Sequence, residues 1–200
     1  KEMKRVIKYV LDTKERGLKL EPEFHHHEGN EDNVFEWVIV LFTDSDWAGD
    51  KATRKSIGGY MLLLNGVLLI WRSKQMPAVA LSSSESEFYA CSEGVREITF
   101  VVQVLLLLGV PVKLPVRVWV DNIGAVYMTA NSSSNSRTRH MDVRYRYTEG
   151  LQQEGLIDLK FVRSEENPSD VMTKNVTGEL EKKHSDKYTA TKEFATGESE

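Results

Sequence analysis

Two apolar stretches each run straight into an aspartate: Trp37-Val-Ile-Val-Leu-Phe-Thr-Asp44, and Val116-Arg-Val-Trp-Val-Asp121, which is followed by Asn122. Both stretches read as β-strands. An ionised carboxylate where a buried strand emerges is costly unless something cationic meets it. If the strands are neighbours, the two acids begin a metal site at one edge of a sheet. Acids brought within about 4 Å repel by roughly 4 kcal/mol per pair at an effective dielectric near 20, so clustering them calls for divalent cations. An all-oxygen donor set suits Mg²⁺ or Mn²⁺ rather than Zn²⁺.

A third acid comes from a helix. Residues 82–108 open on a serine cluster, with Ser82 and Glu85 at capping-box spacing, and Gly109 and Pro111 close the segment. The apolar stripe is Cys91, Val95, Ile98, Val102 and Leu105; one turn back from Cys91 lies Glu87. Glu85 falls round the side and is explained as a cap. Glu87 starts the core-facing stripe and needs a partner.

The elements that must position these acids follow from periodicity and turn chemistry. The first strand is predicted near 36–43, followed by a polar loop over 45–56. Two apolar runs, Gly59-Tyr-Met-Leu-Leu-Leu and Val67-Leu-Leu-Ile-Trp71, flank Asn65-Gly66, a strong hairpin signal. After Asp121 come a short helix over 123–130, a Ser/Asn loop over 131–136 and a basic helix over 138–154, with Gly150 as its weak point. Residues 156–162 alternate as a strand, and Asn167-Pro-Ser-Asp170 opens a short helix. An aspartate in a first helical turn suits the helix dipole, so Asp170 is unexceptional by itself. The order implies an α/β fold, a mixed sheet flanked by helices.

The ends differ from this centre. Residues 1–20 predict a basic amphipathic helix ending near Gly17. Residues 21–34 are polar and read as a linker carrying His25, His26 and His27, whose adjacent side chains do not converge on one ion. From Gly178 the chain is charged and aperiodic, and no structure is expected there. The chain opens on Lys1 rather than Met, as expected of a segment from a longer polypeptide.

Composition sets bounds. At 200 residues and 40% hydrophobic content, the chain supports one core. The longest apolar run, 98–110, is too short to span a membrane. A single cysteine, Cys91, leaves no disulfide partner and fits a reducing, intracellular compartment. The net charge of -4 disfavours a nucleic-acid partner overall, but the acids gather at 21–36 and beyond 178. Between them, Arg137-Thr-Arg139-His140-Met-Asp-Val-Arg144-Tyr-Arg146 sets four arginines against one aspartate, with tyrosines interleaved. That pattern suits phosphate contact, or a solvated helix face.

Five motifs, in order over about residues 35–174, carry a family resemblance: TDSDWAGDKATRKSIGGY, WRSKQMPAVALSSSESEFYA, VWVDNIGAV, SRTRHMDVRYRY and NPSDVMTK. Together they resemble the ribonuclease H domain of copia-type LTR retrotransposon Pol polyproteins. The opening KRVIKYVLDTKERGLKL is similar to the end of the reverse transcriptase region that precedes it. The resemblance implies a ribonuclease H-like fold over 35–176, a five-stranded mixed sheet with helices on both sides. It implies a reverse transcriptase remnant over 1–20, a linker over 21–34 and a tail over 177–200. It also implies four metal-binding, catalytic carboxylates: Asp44, Glu87, Asp121 and Asp170. The first three are the acids that physical reasoning had already left without partners.

By the same resemblance, two Mg²⁺ or Mn²⁺ ions about 3.5–4 Å apart flank a scissile phosphate. Asp44 bridges both, Glu87 and Asp121 hold one, and Asp170 holds the other. The implied reaction is cleavage of the RNA strand of an RNA–DNA hybrid to a 5′ phosphate and a 3′ hydroxyl, beside the adjacent reverse transcriptase domain. The implied location is a cytoplasmic virus-like particle or the nucleus. Arg72, Lys74, Ser83, Asn122, Arg137, Arg139, His140 and Arg144 are the candidate substrate contacts. Many cellular ribonucleases H carry a histidine in the loop before the last aspartate, and residues 163–169 contain none.

Two rival classes remain. One is a decayed or co-opted retroelement module that binds nucleic acid, or acts as a scaffold, without cutting. The other is a different nuclease of the same fold. An exonuclease would show Asp-x-Glu on the first strand, where this chain has Asp44-Ser-Asp46. An integrase would place a glutamate last, where this chain has Asp170.

Overall fold

The computed structural model of the chain describes residues 2–24, 36–130 and 139–191. It opens with helix α1 (Glu2–Asp12) and a short strand β1 (Arg16–Leu18). Four further strands and a long helix follow: β2 (Ile39–Asp46), β3 (Ile57–Leu64), β4 (Val67–Gln75), α2 (Ser83–Leu107) and β5 (Val116–Val120). Helices α3 (Ile123–Ala130) and α4 (Arg139–Gln153) lead to β6 (Ile157–Phe161), 3-10 turns at Ser164–Glu166 and Pro168–Met172, helix α5 (Gly178–Ser185) and β7 (Thr189–Thr191).

The main sheet has five strands in the order β4-β3-β2-β5-β6. The first three form an antiparallel meander, while β2, β5 and β6 run parallel. Parallel neighbours need crossovers, and α2 supplies one, α3 and α4 the other. At the β3–β4 hairpin, Asn65 and Gly66 both have positive φ, 47° and 80°, as a type I′ turn requires. The Asn65 side chain also accepts from the Val38 amide at 2.6 Å, which ties the turn to the start of β2.

The β2–β5 register matters most for function. Thr43 lies opposite Val120, so the next step of each chain sets Asp44 level with Asp121. The predicted loop from 45 is partly strand, because β3 keeps pairing with Asp44, Ser45 and Asp46 through Gly59, Gly58 and Ile57. Asp44 therefore lies inside a central strand rather than at its end.

One face of the sheet packs under the helices. Ile39, Leu41, Tyr60, Leu62, Val116, Val118 and Val120 form a single core with Phe88, Cys91, Val95 and Ile98 of α2. Gly94 marks the closest approach, since a Cβ there would stand 2.8 Å from Leu41 Cδ2. Glu87 precedes Gly94 by two turns on the same helix face, so it is drawn in beside β2. On the opposite face, Met61 and Leu68 meet Val171, Met172 and Tyr188.

Two expectations about the ends are corrected. The N-terminal helix stops at Asp12 rather than near Gly17, because Arg16–Leu18 pairs antiparallel with Thr189–Thr191. The segment from Gly178 is not structureless through to 191. Thr177 caps α5, and His184 and Tyr188 are buried. A single aromatic anchors a charged segment whose pattern had no visible period. The triplet His25-His26-His27 lies outside the described residues.

Candidate metal centre

Four acids converge where β2, β5, the start of α2 and the Pro168–Met172 turn meet. Asp44 is fully buried in β2. Its Oδ2 accepts from the Thr173 hydroxyl, and its Oδ1 from Lys174 Nζ at 2.8 Å. Glu87 is 5% exposed. Its Oε1 accepts from the Ser45 amide at 3.0 Å and lies 2.8 Å from Ser45 Oγ. Its Oε2 is buried with no hydrogen-bond partner among the described residues. Asp121 leaves β5 and accepts from Ser164 Oγ at 2.8 Å.

Asp170 arrives by a different route. Asn167 caps the turn through Ser169 and donates its Nδ2 to the Thr43 carbonyl at 2.9 Å, which pins the turn to β2. The turn can come this close because β3 presents a glycine. A Cβ on Gly59 would lie 2.6 Å from Met172 Cβ and 2.8 Å from Thr173 Cγ2. Asp44, Glu87 and Asp121 each offer an oxygen within 4.8 Å of the others. Asp170 joins them through Lys174, whose Nζ is 3.3 Å from Asp170 Oδ1 and 3.8 Å from Asp121 Oδ2.

The electrostatics match this crowding. Burial, then the Asp121 and Asp44 charges, push Glu87 up to about 9. Burial and the Asp44 charge push Asp170 up to about 7, against the Lys174 charge. Asp121 is raised for the same two reasons. Burial opposes the Lys174 charge, but its Asp44 hydrogen bond and the surrounding carboxylates hold it above the ordinary lysine value. The donors are all oxygens, one is buried without a partner, and protons are held where ions repel. Such a set fits a hard divalent cation.

Lys174 is the residue of this centre that sequence reasoning missed. It stands in the quoted motif NPSDVMTK, four residues after Asp170.

The candidate substrate contacts spread around this point. Asn122 Oδ1 accepts from Ser84 Oγ and from the Ala125 amide, both at 3.1 Å, so it caps α3 beside Asp121 and ties it to the start of α2. Ser83 is exposed at the first position of α2. Arg72 and Lys74 are exposed on edge strand β4 and line a pocket with Lys55, Tyr60, Tyr89 and Glu93. Arg144 is engaged elsewhere: it pairs with Glu93 at 2.5 Å, donates to Ser92 Oγ at 3.0 Å and lies over the Tyr89 ring, joining α4 to α2. Arg137 and the side chains of Arg139 and His140 lie outside the described residues. Cys91 is buried in the core, which pushes its thiol up to about 12 and leaves it chemically quiet. No described helix is long and apolar enough to cross a membrane.

No protein-family model matches the chain. It is 36% identical over 139 residues to the retrovirus-related Pol polyprotein from transposon TNT 1-94 of Nicotiana tabacum, covering 70% of this chain and 10% of that protein. It is 28% identical over 172 residues to the retrovirus-related Pol polyprotein from transposon RE1 of Arabidopsis thaliana, covering 86% and 11%. The chain thus spans about a tenth of the length of these relatives. Among solved structures, LC11-RNase H1 in complex with an RNA/DNA hybrid aligns with a TM-score of 0.48 and 14% identity, over 68% of this chain and 93% of that one.

Proposed function

We propose that the chain, which is homologous to a segment of the retrovirus-related Pol polyproteins of transposons, is a metal-dependent endoribonuclease of ribonuclease H-like fold acting on RNA–DNA hybrids. The observation that carries the proposal is Glu87 Oε2, which has no hydrogen-bond partner among the described residues and is buried in an all-oxygen cluster with Asp44 and Asp121. A buried acceptor with nothing to accept from is costly, and a cation removes that cost. The substrate is the one implied by the five ordered motifs.

Asp44, Glu87 and Asp121 would hold Mg²⁺ or Mn²⁺ in common, with Asp170 completing the set from the adjoining turn. Bound divalent ions supply a polarised attacking water and a counter-charge for the leaving 3′ oxygen. The chain's own residues set the geometry. Ser45 orients Glu87, Ser164 orients Asp121, and Thr173 orients Asp44. Arg72 and Lys74 supply phosphate contacts, and the RNA strand is chosen through its 2′-hydroxyls. Residues 35–176 carry this activity, with the end of a reverse transcriptase region at 1–20, inside a longer intracellular polyprotein.

The test is a strand-resolved assay. Hybrid labelled on either strand is incubated with the chain in Mg²⁺, in Mn²⁺ and in EDTA. Cleavage of the RNA strand alone, leaving 5′ phosphates and stopped by EDTA or by Asp44→Asn, is the expected result. Persistent cleavage in EDTA would overturn the mechanism. Tight hybrid binding without cleavage would favour a non-catalytic nucleic-acid module.

A further inference from the structure

We propose that Lys174 is a tethered cation of the acidic centre, which a divalent ion must displace in order to bind. The inference rests on the metal reading above and deepens it, because it sets the metal concentration at which the centre fills.

The geometry is that of a counter-ion rather than a surface pair. Lys174 Nζ lies 2.8 Å from Asp44, 3.3 Å from Asp170 and 3.8 Å from Asp121, and so touches acids from three separate elements. Asp44, its nearest partner, is fully buried, and the Asp121 and Asp170 side chains are each 8% exposed. The ammonium occupies the point on which their charges converge. A single positive charge offsets one carboxylate, not three, and Glu87 Oε2 still has no hydrogen-bond partner among the described residues. The centre is therefore held together by Lys174 but not satisfied by it.

Lys174 is also built to leave. Its backbone is held by its own amide, which donates to the Asp170 carbonyl at 2.9 Å, so the turn need not move. Its side chain remains 36% exposed, which gives the ammonium a path to solvent along a flexible four-carbon stem. An ammonium and a divalent ion held by the same Asp44 carboxylate repel each other, so an arriving ion loosens the hold on Lys174.

The test measures metal binding directly. Mn²⁺ titrations followed by calorimetry and by the spectrum of free Mn²⁺ are run on the wild-type chain, Lys174→Met and Lys174→Arg. Close charge pairs couple strongly enough to change an affinity about tenfold or more. Lys174→Met is expected to bind Mn²⁺ at least about tenfold more tightly than wild type, and Lys174→Arg no more tightly. In EDTA, Lys174→Met melts below wild type, and it gains more from added Mn²⁺. Lys174→Gln carries the same comparison should the Met variant fail to fold without metal. Equal or weaker Mn²⁺ binding by both neutral variants, with wild type binding normally, overturns the role of Lys174 and leaves the metal centre standing. If no protein binds Mn²⁺, the metal reading falls and this inference falls with it.

Discussion

Glu87→Gln separates the cost of a buried charge from the loss of a side chain. Glutamine keeps the shape, and its Oε1 can accept from Ser45 as Glu87 does at 3.0 and 2.8 Å. Its amide nitrogen replaces Oε2, which has no partner among the described residues, with a donor facing Asp44 and Asp121. The metal-free fold moves Glu87 from an ordinary value of 4.5 up to about 9. The folded chain then holds a proton that the unfolded chain releases. Stability from this group is present below the lower value and lost as pH rises towards the higher one. Each unit is worth about 1.4 kcal/mol, so between pH 5 and pH 8 the wild type loses up to about 4 kcal/mol at Glu87 and the variant loses none. A chain of this size shifts in melting temperature by about 2–4 °C per kcal/mol. The variant's advantage in EDTA should therefore grow by roughly 10 °C across that pH range, measured by thermal denaturation under circular dichroism. Saturating Mg²⁺ should reverse the order, because only wild type gains from the ion. If Glu87→Gln melts lower than wild type by the same margin at both pH values, the charge is not buried at a cost and the reasoning fails.

Other consequences can be checked on the same footing. Gly59→Ala should destabilise by about 1–3 kcal/mol and cut hybrid cleavage, since its Cβ drives the Met172–Thr173 turn away from Asp44. Gly150→Ala, where an added Cβ meets nothing within 4 Å beyond its own helix in the last turn of α4, should be neutral or stabilise by up to about 1 kcal/mol and leave cleavage unchanged. His184 is fully buried with neither ring nitrogen partnered among the described residues, and burial, with Lys187 and Lys183 nearby, lowers its pKa. Its contribution is present above about pH 6.5 and lost as pH falls, so His184→Leu should flatten the acid side of the stability profile in a pH-resolved melt. Removing Arg72 and Lys74 together should weaken hybrid binding and lower its salt slope by about one for each phosphate no longer neutralised, as read by titrations at several ionic strengths.

How far the sequence discloses this centre depends on whether each residue breaks a local rule. Asp44 and Asp121 stand out because a carboxylate interrupts an apolar strand, and Glu87 because it falls on the buried stripe of a helix. Their convergence was not legible. It comes from the parallel β2–β5 register, which no periodicity specifies. Asp170 obeys the local rule for a first turn, so only the motif resemblance points to it. Lys174 has no signal of its own, because its position depends on Asn167 reaching the Thr43 carbonyl and on the absence of a side chain at Gly59. The ends misled for a related reason. Strand β1 is three residues long and exists only because Thr189–Thr191, far along the chain, pairs with it. Arg144 likewise reads as a free basic residue until Glu93 and Tyr89 are seen beside it.

In the proposed reaction Asp44, Glu87, Asp121 and Asp170 hold divalent ions against a phosphate of the RNA strand. Anomalous diffraction from crystals of the wild-type chain with Mn²⁺ and a non-cleavable RNA–DNA hybrid tests this most directly. Manganese is expected among the four carboxylates, with Asp44 as a shared ligand, an RNA phosphate against the ions and the Lys174 ammonium withdrawn from Asp44. A hybrid phosphate ordered over these acids with no manganese between them would contradict it.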